Sequence, residues 1–283
     1  MYLPQGVKNA DFQDRSGKMN QIITSKDNNN IKLYQKISSN KKYRSEFKMF
    51  PLEGLRLIKD AVSENAELHC VLATESCMKK LSMHGEALDF LTEELKKKTL
   101  YISDELGEKL ASTEGTQGIF AVCSALDNPS ISDTIKSGGR YIILYRLQDP
   151  GNMGTVIRTA DAMGVDAVIA VNCCDIFSPK TIRSTMGSLF RMKICTASSE
   201  DVFKRLRETG VTSYAAVIDS DAVSLTDCSF KDGGAVFIGN EGNGLPQDIA
   251  EECDHKLTIC MHGNVNSLNA ATAASIIMWE LTK

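Results

Sequence analysis

The chain has 283 residues, 42% of them hydrophobic and 24% charged, with a formal net charge of −4 at pH 7. These values fit a globular protein of one large domain or two modest ones. They exclude a protein that coats nucleic acid through bulk positive charge. No apolar run approaches the roughly 18 residues of a membrane span, and the polar N-terminus lacks the apolar core of a secretory signal.

A cytoplasmic protein with no membrane attachment is therefore expected. Its nine cysteines form no CxxC pair, and Cys173 and Cys174 are adjacent, so they read as reduced thiols. The four histidines lack ligand spacing, so no metal is expected.

In chain order, residues 1–20 read as an N-terminal extension, with Met19 as a second potential start. Asn30 to Lys48 reads as a polar helix within a basic stretch. Between Lys26 and Lys48 lie seven basic residues against two acidic ones. A second stretch, Ile176 to Ile194, carries Lys180, Arg183, Arg191 and Lys193 and no acid. Each is either a solvated helix face or a docking patch for phosphate.

Residues 21–123 read as a small α/β unit. Leu55, Leu57, Ile58, Ala61 and Val62 recur at helical spacing, Glu67 to Ala73 is strand-like, and Glu86 to Lys97 is a further helix. Tyr101 and Ile102 begin a short strand, and Gly118 to Cys123 closes the unit. Residues 124–139, rich in Ser, Asp, Gly and Pro, read as a linker.

From Tyr141 onward strand and helix alternate. Strands are expected at Tyr141 to Leu147, Ala167 to Val171, Ser213 to Val217, Ala235 to Ile238 and Leu257 to Met261. Helices are expected at Gly154 to Met163, Thr181 to Phe190, Val202 to Glu208 and Leu268 to Leu281. Such alternation implies a parallel sheet covered on both faces.

Ligands of open α/β sheets bind where loops leave the carboxyl ends of strands. Three loops there are unusual. In Asp149-Pro150-Gly151-Asn152-Met153-Gly154, Pro150 and Gly151 suit a tight turn and Asn152 suits a helix cap. Arg158 follows, off the apolar stripe of Val156, Ile157, Ala160 and Met163; it either pairs with Asp161 at i+3 or serves a ligand.

Gly239-Asn240-Glu241-Gly242-Asn243-Gly244 follows an apolar strand, and its glycines suit either a bare left-handed turn or close approach to a ligand. Ser267 suits the cap of the last helix, whose run Ala270 to Ser275 is small enough either for a tightly threaded helix or for an ordinary alanine-rich one.

Taken together, these segments resemble the SpoU (TrmH-like) family of SPOUT RNA ribose methyltransferases. The resemblance rests on Asp149-Pro150-x-Asn152-x-Gly154-x-x-x-Arg158-Thr159-Ala160, on Phe237-Ile238-Gly239-Asn240-Glu241-Gly242-x-Gly244-Leu245, and on Ile259-x-Met261 with Ser267-Leu268-Asn269. Phe177-Ser178-Pro179-Lys180 and Arg183-Ser184-x-Met186-Gly187 match a further family stretch. Residues 140–283 carry the methyltransferase-like part. Ile23-Thr24-Ser25, Glu53-Gly54 and Gln117-Gly118-Ile119 resemble the L30e-like substrate-binding domain that precedes some members. Cys260 stands where many members have proline, and Tyr145-Arg146 where acidic or small residues are frequent.

The resemblance implies a C-terminal trefoil knot, a homodimer through the methyltransferase domain, and S-adenosylmethionine as methyl donor. By carry-over, Gly239, Ile259, Met261 and Leu268 line the donor pocket. Arg158, Asn152, Glu241, Ser267 and Asn269 form the catalytic set. The implied reaction is methylation of a ribose 2′-hydroxyl in rRNA or tRNA.

A guanidinium is a poor base in water, so Arg158 is expected to stabilise developing alkoxide charge; proton removal by Arg158 would require its environment to favour the neutral form. The basic stretch at Lys41, Lys42 and Arg44 is the candidate RNA-docking surface. Competing readings are methylation of an RNA base, a non-catalytic RNA scaffold and a nucleotide-dependent oxidoreductase. The last lacks G-x-G-x-x-G at its first turn.

Overall fold

The computed structural model describes residues 11–13, 19–83 and 88–283. The extension expected over residues 1–20 lies mostly outside them, as do the first two residues of the helix expected from Glu86. The chain divides into two compact units, residues 1–125 with 177–179, and residues 126–176 with 180–283.

In the N-terminal unit, β1 (Asp11–Gln13) and β2 (Met19–Gln21) pair antiparallel. The expected helix over 30–48 is two helices, α1 (Asn29–Ser39) and α2 (Lys41–Phe47). Asn40 breaks it by adopting an extended conformation, in which its side chain accepts from the Lys42 amide at 2.8 Å. Nor is it polar throughout, because Ile31, Tyr34 and Ile37 face the core.

Arg44 turns inward. It is 9% exposed and donates to the carbonyls of Ile37 and Ser38 at the end of α1. It therefore leaves the expected docking surface to Lys41 and Lys42, which are exposed.

A four-stranded sheet follows, in the order β3 (Met49–Glu53), β6 (Ile119–Ser124), β4 (Leu68–Thr74) and β5 (Thr99–Ile102). Among its helices, α3 (Leu55–Ser63) buries Leu57, Ile58 and Ala61, as the spacing predicts. The others are α4 (Glu75–Met83), α5 (Glu93–Lys97) and α6 (Asp104–Leu110). The helix expected to Lys97 is instead a 3₁₀ turn at Leu88–Phe90 and then α5. Thr92 separates them by capping the Leu95 amide at 3.2 Å.

The C-terminal unit opens with α7 (Ile131–Thr134), inside the segment read as a linker. Arg205 holds that segment by donating to the carbonyls of Ile135 and Ser132, both at 3.1 Å. The strands are β7 (Arg140–Tyr145), β8 (Ala167–Val171), β9 (Ile194–Thr196), β10 (Ser213–Ala216), β11 (Val223–Ser224), β12 (Gly234–Ile238) and β13 (His255–Thr258). They form one parallel seven-stranded sheet in the order β11-β13-β10-β12-β7-β8-β9.

Alternation along β7 feeds two cores. Ile142 and Leu144 pack on one face, and Tyr141, Ile143 and Tyr145 on the other. The first core includes α8 (Pro150–Met163) and α12 (Ala270–Thr282), which pack on each other. The second receives α10 (Ser199–Thr209) and α11 (Gln247–Glu252).

A short α9 (Pro179–Thr185) lies close to α8: a Cβ built on Gly154 would sit 2.4 Å from the Ser184 Cβ and 2.6 Å from the Thr181 carbonyl. The last strand ends at Thr258, not Met261, so 259–269 is irregular chain that returns from β13 to α12 beside β7 and β12. Among the described residues no helix is long and apolar enough to cross a membrane.

Candidate active site

Helix α8 begins earlier than expected because Asp149, not Asn152, is its cap. Asp149 Oδ1 accepts from the Asn152 amide at 2.9 Å, and Pro150 fills the first helical position, where a missing amide loses no bond. The Asp149 carboxyl is held below its ordinary range by that amide and by Lys180, whose Nζ lies 3.0 Å from Oδ2. Asn152 is thereby one turn inside the helix, and its side chain is available for other partners.

Those partners come from the other two loops. Asn152 Nδ2 donates to Glu241 Oε1 at 2.9 Å, and Asn152 Oδ1 accepts from Asn269 Nδ2 at 3.0 Å. Asn269, rather than Ser267, caps α12, with Oδ1 accepting from the amides of Ala271 at 2.9 Å and Thr272 at 3.3 Å. Its longer amide group satisfies the helix end with one atom and reaches Asn152 with the other. Three loops that are far apart in sequence are thus tied by one chain of side-chain hydrogen bonds.

Glu241 is also gripped by backbone. Oε1 accepts from the Asp149 amide at 3.1 Å and Oε2 from the Gln148 amide at 3.2 Å. Burial works against its ionisation, but Asn152 and these amides outweigh it and hold the carboxyl below its ordinary 4.5. The stabilisation is therefore complete above pH 4.5 and is lost as pH falls through the lower folded-state value. Glu241→Gln should place an amide N–H against one of these donors and cost about 1–3 kcal/mol at neutral pH. In thermal unfolding across pH, the variant should also lose the part of the acid destabilisation that Glu241 causes. An unchanged melting profile would show that the carboxylate contributes nothing.

Glu241 borders a cleft of about 480 Å³ at the carboxyl ends of β10, β12 and β13. Gly239, Ile259, Met261 and Leu268, the residues expected at the donor pocket, line it, and so does Ser267, which was expected in the catalytic set. Gly239 tolerates no side chain there, since a Cβ would lie 2.1 Å from the Gly244 carbonyl carbon and 2.3 Å from the Leu245 nitrogen. The turn is closed by reciprocal backbone bonds between Asn240 and Gly244, at 3.1 and 2.9 Å.

Arg158 stands apart. It is exposed on α8 and does not line the cleft, because six residues beyond Asn152 the helix has turned by about 120° net. The ion pair with Asp161 does not form: Asp161 binds Arg191 at 2.9 Å, and no described residue pairs with Arg158.

The cleft suits the donor that the resemblance implies. Ile238, Leu257 and Ile277 supply apolar wall, and the volume is of the size that encloses a small ligand. Residues 262–268 form no hydrogen-bonded turn, and their amides donate to no backbone carbonyl among the described residues. An irregular backbone of this kind leaves polar edges for a heterocycle. The described residues include no cluster of metal-ligating side chains.

Sequence reasoning missed three contributors: Asp149 as cap, Lys180 as its partner, and Asn240. The Asp-Pro pair is a helix-start signature and could have revealed the first. Lys180 and Asn240 lie in the stretches that carry the resemblance, but nothing local marked the partners they take.

Comparison with known proteins points to one family. The SpoU rRNA methylase family matches residues 139–279, and the MRM3-like substrate binding domain matches residues 28–121. The chain is 29% identical over 264 residues to the 23S rRNA (guanosine(2553)-2′-O)-methyltransferase RlmP of Bacillus subtilis, covering 93% of this chain and 99% of that one. It is 30% identical over 185 residues to a 23S rRNA (uridine(2479)-2′-O)-methyltransferase of Streptomyces viridochromogenes, covering 63% of each. It superposes with a TM-score of 0.80 on the AdoMet-bound rRNA methyltransferase of Sinorhizobium meliloti, at 29% identity, covering 92% of this chain and 96% of that one.

Proposed function

The chain belongs to the SpoU family of RNA ribose methyltransferases, and on that premise we propose how its residues carry out the reaction. The protein is an S-adenosylmethionine-dependent RNA 2′-O-methyltransferase. The observation that carries the site assignment is the bond chain Glu241–Asn152–Asn269, which ties the loop of Asn152 to the two loops that line the cleft.

Bound in the cleft, S-adenosylmethionine supplies a methyl group already activated by a positive sulfur. Gly239, Ile259, Met261 and Leu268 hold it through backbone and apolar contact. Asn152, Glu241, Ser267 and Asn269 shape the reacting end, and Arg158 stabilises the negative charge that develops on the ribose oxygen. Positioning supplies much of the remainder. The test is to incubate the protein with tritiated donor and unmodified ribosomal and transfer RNA transcripts, then digest the product. Label in a 2′-O-methylnucleoside is expected; label in a methylated base, or none, overturns the reading.

Residues 140–283 are assigned as the methyltransferase domain, 21–123 as the RNA-binding domain and 124–139 as the junction. The C-terminal trefoil knot is supported by the return of 259–269 from β13 to α12 beside the sheet centre. The target is rRNA or tRNA, reached in the cytoplasm.

A homodimer is favoured by an apolar pair on α12, Ile276 at 38% exposure and Trp279 at 60%. Trp279→Glu should convert the dimer to monomer in light scattering; a dimer that persists removes this face. RNA docking falls to Lys41 and Lys42. Reversing both charges should weaken RNA binding and lower its log–log salt slope by about one to two, whereas an unchanged slope makes them a solvated face.

A further inference from the structure

The loops leaving β7 and β12 are joined more closely than neighbouring strands require. Asn240 Nδ2 donates to the Arg146 carbonyl at 2.9 Å. Its Oδ1 accepts from the amides of Gly242 at 2.8 Å and Asn243 at 3.3 Å. Gln148 Nε2 adds a second donor to the Arg146 carbonyl at 3.0 Å. That carbonyl belongs to a residue at φ 55°, in the left-handed region that L side chains avoid.

The left-handed turn has a visible consequence. Immediately after it, Leu147 returns to the core at 0% exposure, and the next two amides meet the Glu241 carboxylate. The Arg146 side chain is exposed, with its guanidinium 5.1 Å from the Tyr145 ring, so the strain is not offset by burial of that side chain.

We propose that Asn240 is a positioning residue for methyl transfer, its side-chain amide holding Arg146 in the left-handed conformation and so setting the start of helix α8 against the donor loop. This rests on the reading of the cleft as a methyltransferase site. The two ends of one amide differ in reach: Oδ1 serves only the donor loop, whereas Nδ2 crosses to the Arg146 carbonyl at 2.9 Å and also meets Glu241 Oε2 at 3.4 Å. Substitution can therefore separate them. Asn240→Asp keeps the acceptor for Gly242 and Asn243 but sets an oxygen against the Arg146 carbonyl and a second carboxylate beside Glu241, so relief by Arg146→Gly is what identifies the Arg146 part of the loss.

The experiment measures S-adenosylhomocysteine binding by calorimetry and methyl incorporation into unmodified ribosomal and transfer RNA transcripts. For Asn240→Asp, kcat should fall by about tenfold, equivalent to about 1.4 kcal/mol, with the dissociation constant within about threefold of wild type. Adding Arg146→Gly removes the conformational penalty and should return kcat to within about threefold of Arg146→Gly alone. Arg146→Val, which raises the penalty while leaving Asn240 intact, should lower kcat in the same way, and it serves if Asn240→Asp does not fold.

Wild-type kcat in both Asn240→Asp and Arg146→Val overturns the proposal. So does a loss in Asn240→Asp that falls equally on donor affinity and is not relieved by Arg146→Gly. A wild-type protein that neither binds S-adenosylhomocysteine nor methylates any transcript would instead refute the functional reading beneath it.

Discussion

Arg158→Ala is expected to bind S-adenosylhomocysteine within a few-fold of wild type while methyl transfer falls by on the order of 10²–10³ or more. The asymmetry follows from placement. Arg158 is exposed on α8, does not line the donor cleft, and pairs with no described residue. Its loss therefore creates no cavity and leaves no buried partner uncompensated, so folding and donor binding should be little affected. On the role proposed for Arg158, what disappears is a positive charge that matters only as the ribose oxygen sheds its proton. Arg158→Lys should rescue poorly, because an ammonium is a point charge without the planar fork of donors. Calorimetry with the demethylated donor and single-turnover methylation measure the two halves. Full activity in Arg158→Ala removes the residue from the chemistry.

Gly239→Ala should do the reverse and strike the donor first. The added Cβ meets backbone at 2.1 to 2.4 Å, not the tip of a movable side chain. Relief requires Gly244 and Leu245 to move, which breaks the paired Asn240–Gly244 bonds and displaces Glu241 beside them. A loss of at least about tenfold in donor affinity is expected, with destabilisation of about 1–3 kcal/mol. Gly242→Ala is the control: its Cβ would meet only Asn240 Oδ1, at 3.4 Å, and should change affinity by less than about threefold. An effect of Gly239→Ala as small as that expected of Gly242→Ala would show that the turn is tolerant and that glycine at 239 has no steric role.

The difference between these variants reflects how the site is built. Arg158 lies on the exposed face of α8, away from the cleft lining, and a helix tolerates substitution on such a face. Gly239 is supplied by contact between two backbone segments, and close-packed backbone has no slack.

Much of this was readable before any fold was known. The alternation after Tyr141, the small residues of α12 and the three loops with Asn152, Gly239, Glu241, Ser267 and Asn269 all lie on the surface of the sequence. They are local signals: a strand buried on both faces must be apolar throughout, and a helix cap must be a short polar residue. The errors were also local. Asp149 was legible from the proline that follows it, but Ser267 and Asn269 are both acceptable caps, and the sequence offers no means of choosing between them. The polar look of 30–48 hid a break at Asn40 and a buried Arg44, because a basic residue capping a helix end is indistinguishable in sequence from one facing RNA.

The sequence alone therefore determined the class of fold, the positions of the three loops and the chemical types they carry, since each depends on the preferences of neighbouring residues. Only the tertiary structure decided which amide accepts from which donor. The bonds from Glu241 to Asn152 and from Asn152 to Asn269 span 89 and 117 residues. Contacts at such separations leave no periodicity along the chain. They arise when strand order brings loop ends together, and the free energy that selects them belongs to the assembled sheet.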